Sequence, residues 1–147
     1  MAKRERYVFI NHTADVEYVA YGSTIDRVFK NALLGLFDTI ADIKKLSAAK
    51  AKVKLLNIEE RARIPEDLLW FVLQDALSVT DAEGVYAYSV KKIKIGLEMG
   101  EYSAVVTIAA KKKDPKFSKL DVKGVSRFDM KVTKKDKTYL ATVVLDV

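Results

Sequence analysis

The chain has 147 residues, half of them apolar and 31% charged, with a formal charge of +6 and no cysteine. That length suits a single domain able to bury about two-thirds of its unfolded surface, and the composition is that of a folded protein rather than a disordered one. No cysteine means no disulfide framework, no thiolate metal site and no cysteine nucleophile, and no apolar run approaches the roughly 18 residues of a membrane span. Residues 1–6 lead straight into a strand pattern, without the apolar core of a signal peptide, so the expected location is the cytoplasm, with no membrane partner. The positive excess permits attraction to nucleic acid or to an acidic protein face. It is dispersed, however. Lys111, Lys112 and Lys113 form the only tight run, and no aromatics interleave with it as a stacking platform requires. The run reads as a solvated loop edge, with RNA contact as the alternative.

In chain order, Tyr7, Val8, Phe9 and Ile10 form a short β-prone run and residues 16–21 a second. The polar island Asn11-His12-Thr13-Ala14-Asp15 between them is expected to be a tight, hairpin-like connection, in which Asn11 and Thr13 can bond neighbouring amides. Gly22 breaks the second strand. Ser23 and Thr24 offer N-cap hydroxyls, and Asp26 places negative charge where the helix dipole favours it. Ile25, Val28, Phe29, Ala32, Leu33, Leu36, Phe37 and Ile40 then recur at helical spacing, which predicts an amphipathic helix. Gly35 within it lowers propensity, and a close packing contact is the expected reason.

Residues 51–58 alternate Val53 and Leu55 against Lys52 and Lys54 and read as a strand, followed by a charged connection over 59–63. Pro65 suits the first turn of a second helix. Leu68, Leu69, Phe71, Val72, Leu73, Ala76 and Leu77 form its wide apolar face, with Trp70 beside them. The helix is expected to end near Thr80 and Asp81, with a turn at Glu83 and Gly84. The pattern then changes to period two. Tyr86, Tyr88 and Val90, then Ile93, Ile95 and Leu97, alternate with polar residues. A turn at 99–101, a strand over 102–110, a basic loop over 111–121 and a final hairpin of 122–132 with 138–145 complete the chain. Consecutive strands without intervening helices argue for α+β: two helices packed on one face of a mixed, largely antiparallel sheet, in one domain over residues 1–147.

Candidates for chemistry are few. Asp15 closes the polar island, and Asp146 ends an apolar strand pattern one residue before Val147. Brought together, the two side chains and the carboxylate of Val147 would make an oxygen cluster suited to a hard divalent cation. Held apart, Asp15 caps a turn and Asp146 is a solvated terminal residue. His12 is the one histidine. It could act as a base or ligand, or its ring could bond a backbone carbonyl. There is no phosphate-cradling glycine loop and no Gly-x-Ser-x-Gly elbow, and one histidine without cysteine leaves almost no material for a nucleophile system. No catalytic residue is assigned.

Three stretches carry a resemblance: His12-Thr13-Ala14-Asp15-Val16, then Tyr21-Gly22-Ser23-Thr24, then the run from Ala32 to Asp38. Val122-Lys123-Gly124-Val125-Ser126, Asp129-Met130-Lys131-Val132 and the closing Leu145-Asp146-Val147 extend it. Taken in order over nearly the whole chain, these segments resemble the archease family. The resemblance implies a non-enzymatic accessory protein for an RtcB-type RNA ligase, promoting guanylation and multiple turnover in tRNA splicing and meeting tRNA through the ligase. It also implies an acid at Asp15 and at Asp146. The metal set is then Asp15, Asp146 and Val147, with Ca²⁺ expected first and Mg²⁺ or Mn²⁺ as alternatives. Lys123 would contact phosphate or an acidic partner, or remain a solvated strand lysine. Two positions depart from the family pattern. Asn11 stands where many members carry an acid, and Arg127-Phe128 where an aromatic-histidine pair is common. The alternative function is a chaperone or specificity modulator of a tRNA cytosine methyltransferase or another RNA-processing enzyme. A metal-dependent hydrolase and a simple RNA-binding module are weaker readings.

Overall fold

The computed structural model describes residues 5–10 and 15–147. Among them the order of elements is β1 (Tyr7–Ile10), β2 (Val16–Gly22), α1 (Ile25–Ile40), α2 (Ile43–Ala48), β3 (Lys54–Ala62), α3 (Pro65–Glu83), β4 (Val85–Glu98), β5 (Glu101–Lys112), a 3-10 turn (Pro115–Phe117), β6 (Gly124–Val125), β7 (Lys131–Lys135) and β8 (Thr138–Asp146). Among the described residues no helix is long and apolar enough to cross a membrane.

The fold is α+β, and every strand pairing is antiparallel. The strands are shared between two sheets, one running β1-β2-β8-β6 with β7 also on β8, the other β3-β5-β4. The composition of α1 accounts for this division. Its residues from Ala32 to Phe37 are all buried, so one sheet cannot cover it. It packs on β2 and β8 at one side and on β4 at the other. α3 lies against β3, β4 and β5 and reaches across to β6 and β7. One core therefore joins both sheets through the helices, with Tyr18, Phe29, Leu33, Leu36, Ile58, Leu69, Leu73, Ile108 and Leu145 fully buried in it.

Local signals set α1. Thr24 Oγ1 accepts from the Arg27 amide at 3.2 Å as the N-cap. Asp26 does more than favour the dipole, because its Oδ1 accepts from the Ile95 amide of β4 at 3.2 Å. Gly35 has the close contact expected of it. A Cβ built there would lie 2.4 Å from Cε2 of Tyr18, whose hydroxyl donates to the Ala32 carbonyl at 2.6 Å.

Four details differ from the sequence reading. The helix α2 is unpredicted; six residues with one buried side chain, Leu46, are too short to show a period. β3 runs to Ala62, so residues 59–62 continue the strand rather than forming a connection. The final segment forms the β7–β8 hairpin, with β6 as a separate two-residue strand. The basic run is no solvated loop edge at its first residue. Lys111 lies inside β5 and is 4% exposed. Its Nζ donates to the carbonyls of Leu46 at 2.6 Å and Ala49 at 2.8 Å, and stands 4.7 Å from the Tyr88 ring centroid. The last carbonyls of a helix have no partner within it, and this ammonium supplies one for α2.

Glu60 on β3 hydrogen-bonds Asp75 on α3. Burial first, and then the Asp75 bond and charge, push its carboxyl above the usual range. The folded state therefore holds a proton that the unfolded chain releases, so stability falls as pH rises from the ordinary carboxyl range through the raised value. Glu60→Gln is expected to melt about 1–2 °C above wild type at pH 7.5, an increment kept small by solvent screening. At pH 3.5 the two should melt together, and a gain equal at both pH values would refute the shared proton.

Candidate functional site

β8 is the centre of the site because strands flank it on both sides. On one side the β2 register runs from Gly22 opposite Tyr139 to Val16 opposite Leu145. Asp15 is the residue next before Val16 and Asp146 the residue next after Leu145, so the two acids stand at the same end of the β2–β8 pair. On the other side Gly124 of β6 pairs with Asp146, and the Lys123 amide donates to the Asp146 carbonyl at 2.7 Å. Alternation along β8 turns Val143 and Leu145 into the core, and Asp146 itself is exposed. Asp15 is half-buried. The topology thus gathers Asp15, Asp146, Val147 and Lys123 at one end of one sheet, although 131 positions separate the two acids.

The β6 side of this edge is held by α3. Trp70 and Gln74, one helical turn apart, face the strand together. Trp70 Nε1 donates to the Val125 carbonyl, and the Val125 amide donates to Gln74 Oε1, both at 2.7 Å. These groups point away from β8, so the two side chains complete the outer edge of β6 as a further strand would. A Cβ built on Gly124 would sit 3.7 Å from Gln74 Oε1 and 3.9 Å from Asp146 Oδ2, so Gly124 lies between the clamp and the acid. Sequence reasoning missed Gln74, which appears in the chain only as a polar residue beside an apolar helical face. Next to this edge a cleft of about 430 Å³ opens between the second halves of α1 and α3, with Gln74, Asp121, Val122 and Lys123 at one side and Asp81 and Lys113 in its wall.

The donor set suits a hard cation in kind, since its side chains offer carboxylate oxygen at a water-accessible edge. In number it is sparse. Among the described residues no group of three His, Cys, Asp or Glu side chains is placed to hold a metal ion. Two carboxylates would need further oxygens from the Val147 end, from water or from a partner. His12 and Asn11 lie outside the described residues. Asp38, at the end of the Ala32 to Asp38 run, is structural: it accepts from the Tyr7 hydroxyl at 2.9 Å and from Lys119 Nζ at 3.2 Å, tying β1 and the 118–120 segment to α1. Burial, with the Asp38 bond and charge, raises the Tyr7 hydroxyl far above its usual pKa, so it serves here as a donor.

Comparison with known proteins agrees with this architecture over the whole chain. The model of the Archease protein family matches residues 7–147. The protein archease of Methanosarcina barkeri is 30% identical over 145 residues, covering 97% of each chain. That of Pyrococcus furiosus is 32% identical over 139 residues, covering 92% of this chain and 94% of its own. The solution structure of Methanobacterium thermoautotrophicum protein 1598 superposes with a TM-score of 0.80 at 26% identity, covering 97% of this chain and 99% of that one. A crystal structure from Thermotoga maritima, described as an archease and possible chaperone, shares the fold with a TM-score of 0.62 at 18% identity, covering 100% and 98%. With a family match that runs from β1 to Val147 and relatives aligned nearly end to end, the chain belongs to the archease family.

Proposed function

We propose that this archease is a non-enzymatic accessory protein that activates an RtcB-type RNA ligase, promoting its guanylation so that it turns over repeatedly. The observation that carries the reading is the β2–β8 register, which brings Asp15 and Asp146 to the same end of a sheet, with the Lys123 amide bonded alongside. Such an edge can enter a partner's active site as a unit, because its backbone is fixed by strand pairing and by the α3 clamp. Asp15 and Asp146, with the Val147 end, would hold a divalent cation, Ca²⁺ first and Mg²⁺ or Mn²⁺ as alternatives. When bound, such a cation offsets charge developing on transferred phosphate oxygens. The carboxylates position that charge, Lys123 faces phosphate or an acidic wall of the partner, and the paired strands keep the donors from being rearranged by water.

The test is a multiple-turnover ligation assay with the cognate ligase and wild-type, Asp15→Ala or Asp146→Ala protein. Each substitution is expected to lower stimulation at least tenfold while circular dichroism stays unchanged. Folded variants that stimulate as well as wild type would sink the acidic-edge mechanism. The description of the Thermotoga maritima protein as a possible chaperone favours a second reading, a chaperone or specificity modulator of a tRNA cytosine methyltransferase or another RNA-processing enzyme. That reading predicts binding that is indifferent to Asp15 and to added cation.

A further inference from the structure

Phe128 is 96% exposed, in the turn that leads from β6 to β7. An exposed apolar side chain is ordinary on a loose loop, but this one stands on a turn fastened at nearly every neighbouring residue. Val125 before it is 6% exposed, and both its backbone groups are taken by Trp70 and Gln74. The Ser126 amide donates to the Val144 carbonyl at 2.9 Å, and its hydroxyl donates to Asp129 Oδ2 at 2.8 Å. Arg127 is ion-paired with Asp67 in the first turn of α3. Met130 is 4% exposed in the core, and the Val132 amide donates to Glu66 Oε2 at 3.2 Å. The other nearly bare apolar side chain among the described residues, Met99, stands at the tip of the β4–β5 hairpin, whose shape comes from its own backbone through the positive φ values of Met99 and Gly100.

A ring carried on a backbone held in this way brings little backbone freedom to lose on binding, which favours it as an anchor. Its place in the fold says what it meets. Gly124, four residues earlier, pairs with Asp146, and four residues span about 13 Å at most even when fully extended. Ring and acidic edge therefore fall within the footprint of a single partner, which for a standard interface is roughly 800 Å². Asp129 of the turn is exposed as well but is bonded by the Ser126 hydroxyl, whereas Lys123 and Lys131 stand exposed on either flank. They would face their own copies in a two-fold pairing of this turn, which disfavours a second molecule of this chain, and they complement a cleft with an acidic rim.

We propose that Phe128 seats in an apolar, acid-rimmed cleft beside the nucleotide site of the enzyme that receives Asp15 and Asp146, so that the ring supplies affinity and the acidic edge supplies chemistry. The inference rests on the ligase reading above. Its test is titration of the purified ligase with wild type, Phe128→Ala, Phe128→Trp and Asp146→Ala, reading the dissociation constant and the stimulated ligation rate. Phe128→Ala, which should melt with wild type, is expected to bind roughly 30-fold more weakly, the effect of an interface hot spot. Its stimulation should return at high concentration, and Phe128→Trp should bind within a few-fold of wild type. Asp146→Ala should show the reverse split, with binding kept and stimulation lost. A Phe128→Ala variant that binds as tightly as wild type would overturn the anchor while leaving the ligase reading intact. Wild-type protein that neither binds nor stimulates the ligase would overturn both. Self-association of the wild type that disappears in Phe128→Ala would overturn the proposal in favour of a second copy as the occupant.

Discussion

Gly35→Ala is expected to lower the melting temperature by about 5–10 °C, although alanine is the better helix former. In an open helix the exchange would gain about 1 kcal/mol. Here the new Cβ would lie 2.4 Å from Cε2 of Tyr18, closer than carbon atoms approach. Tyr18 cannot swing aside, because its ring is fully buried and its hydroxyl is bonded to the Ala32 carbonyl on the helix it would have to leave. Overpacking of this kind costs about 3 kcal/mol or more, so the net loss is roughly 2–3 kcal/mol, which for a domain of this size corresponds to the stated shift. Thermal melts by circular dichroism read it directly. Adding Tyr18→Leu should recover part of the loss, giving a positive coupling in a double-mutant cycle. An unchanged melting temperature in Gly35→Ala would mean that β2 and α1 are not in contact through this pair.

Gln74→Leu is expected to separate the stability of the domain from the integrity of its candidate site. Leucine keeps the volume but leaves the Val125 amide without its acceptor, at a cost of about 1–3 kcal/mol for a group half-shielded from water. That loss falls on β6, a two-residue strand whose outer edge is then left with the Trp70 bond alone. Amide hydrogen exchange should quicken at Val125, and at Lys123 and Ser126, whose amides bond β8. Exchange across the β2–β8 pairs should stay as in wild type. Ligase stimulation is expected to fall about tenfold, because the partner would meet an edge whose β6 side no longer stands still beside Asp146. If exchange quickens equally throughout the sheet, Gln74 is a core residue and not a clamp.

The elements that could be read in advance were those whose cause is local. α1 could be read because Thr24 caps it and its apolar residues repeat at helical spacing, and α3 because Pro65 opens it. Gly35 was legible as a packing contact because nothing else explains a glycine in a strong helix, though the identity of Tyr18 as its neighbour was not. The division into two sheets was hidden, since period-two strands look alike whichever sheet they join and only the two-sided burial of α1 separates them. Lys111 misled for a related reason. A lysine followed by two more looks solvated, and the carbonyls that draw it inward belong to a helix more than sixty residues earlier. Asp15 and Asp146 stand out in the sequence as acids at strand ends and the family resemblance implies both, and their meeting at one end of a sheet follows from the long β2–β8 register, which no short motif encodes. Gln74 and the bond that Trp70 makes to β6 were missed because a helix that completes a strand edge leaves no periodic trace.

Lys111 also makes the molecule's stability uneven. α2, together with Phe117 of the 3-10 turn, shields Ala109 and Tyr88 on the outer face of the second sheet, and this small patch forms an apolar cluster separate from the main core. A cover of six residues contributes little by itself, and it is held by buried Leu46, by the Asp42 amide on the Phe117 carbonyl and by the Lys111 ammonium on the carbonyls that end the helix. Such a flap is expected to open as its own cooperative unit before the main core gives way, which faster amide exchange in residues 43–49 than in β5 would show. When it opens it uncovers β-sheet surface bearing aromatic side chains, and its release rather than global unfolding would be the step that commits this protein to aggregation on heating.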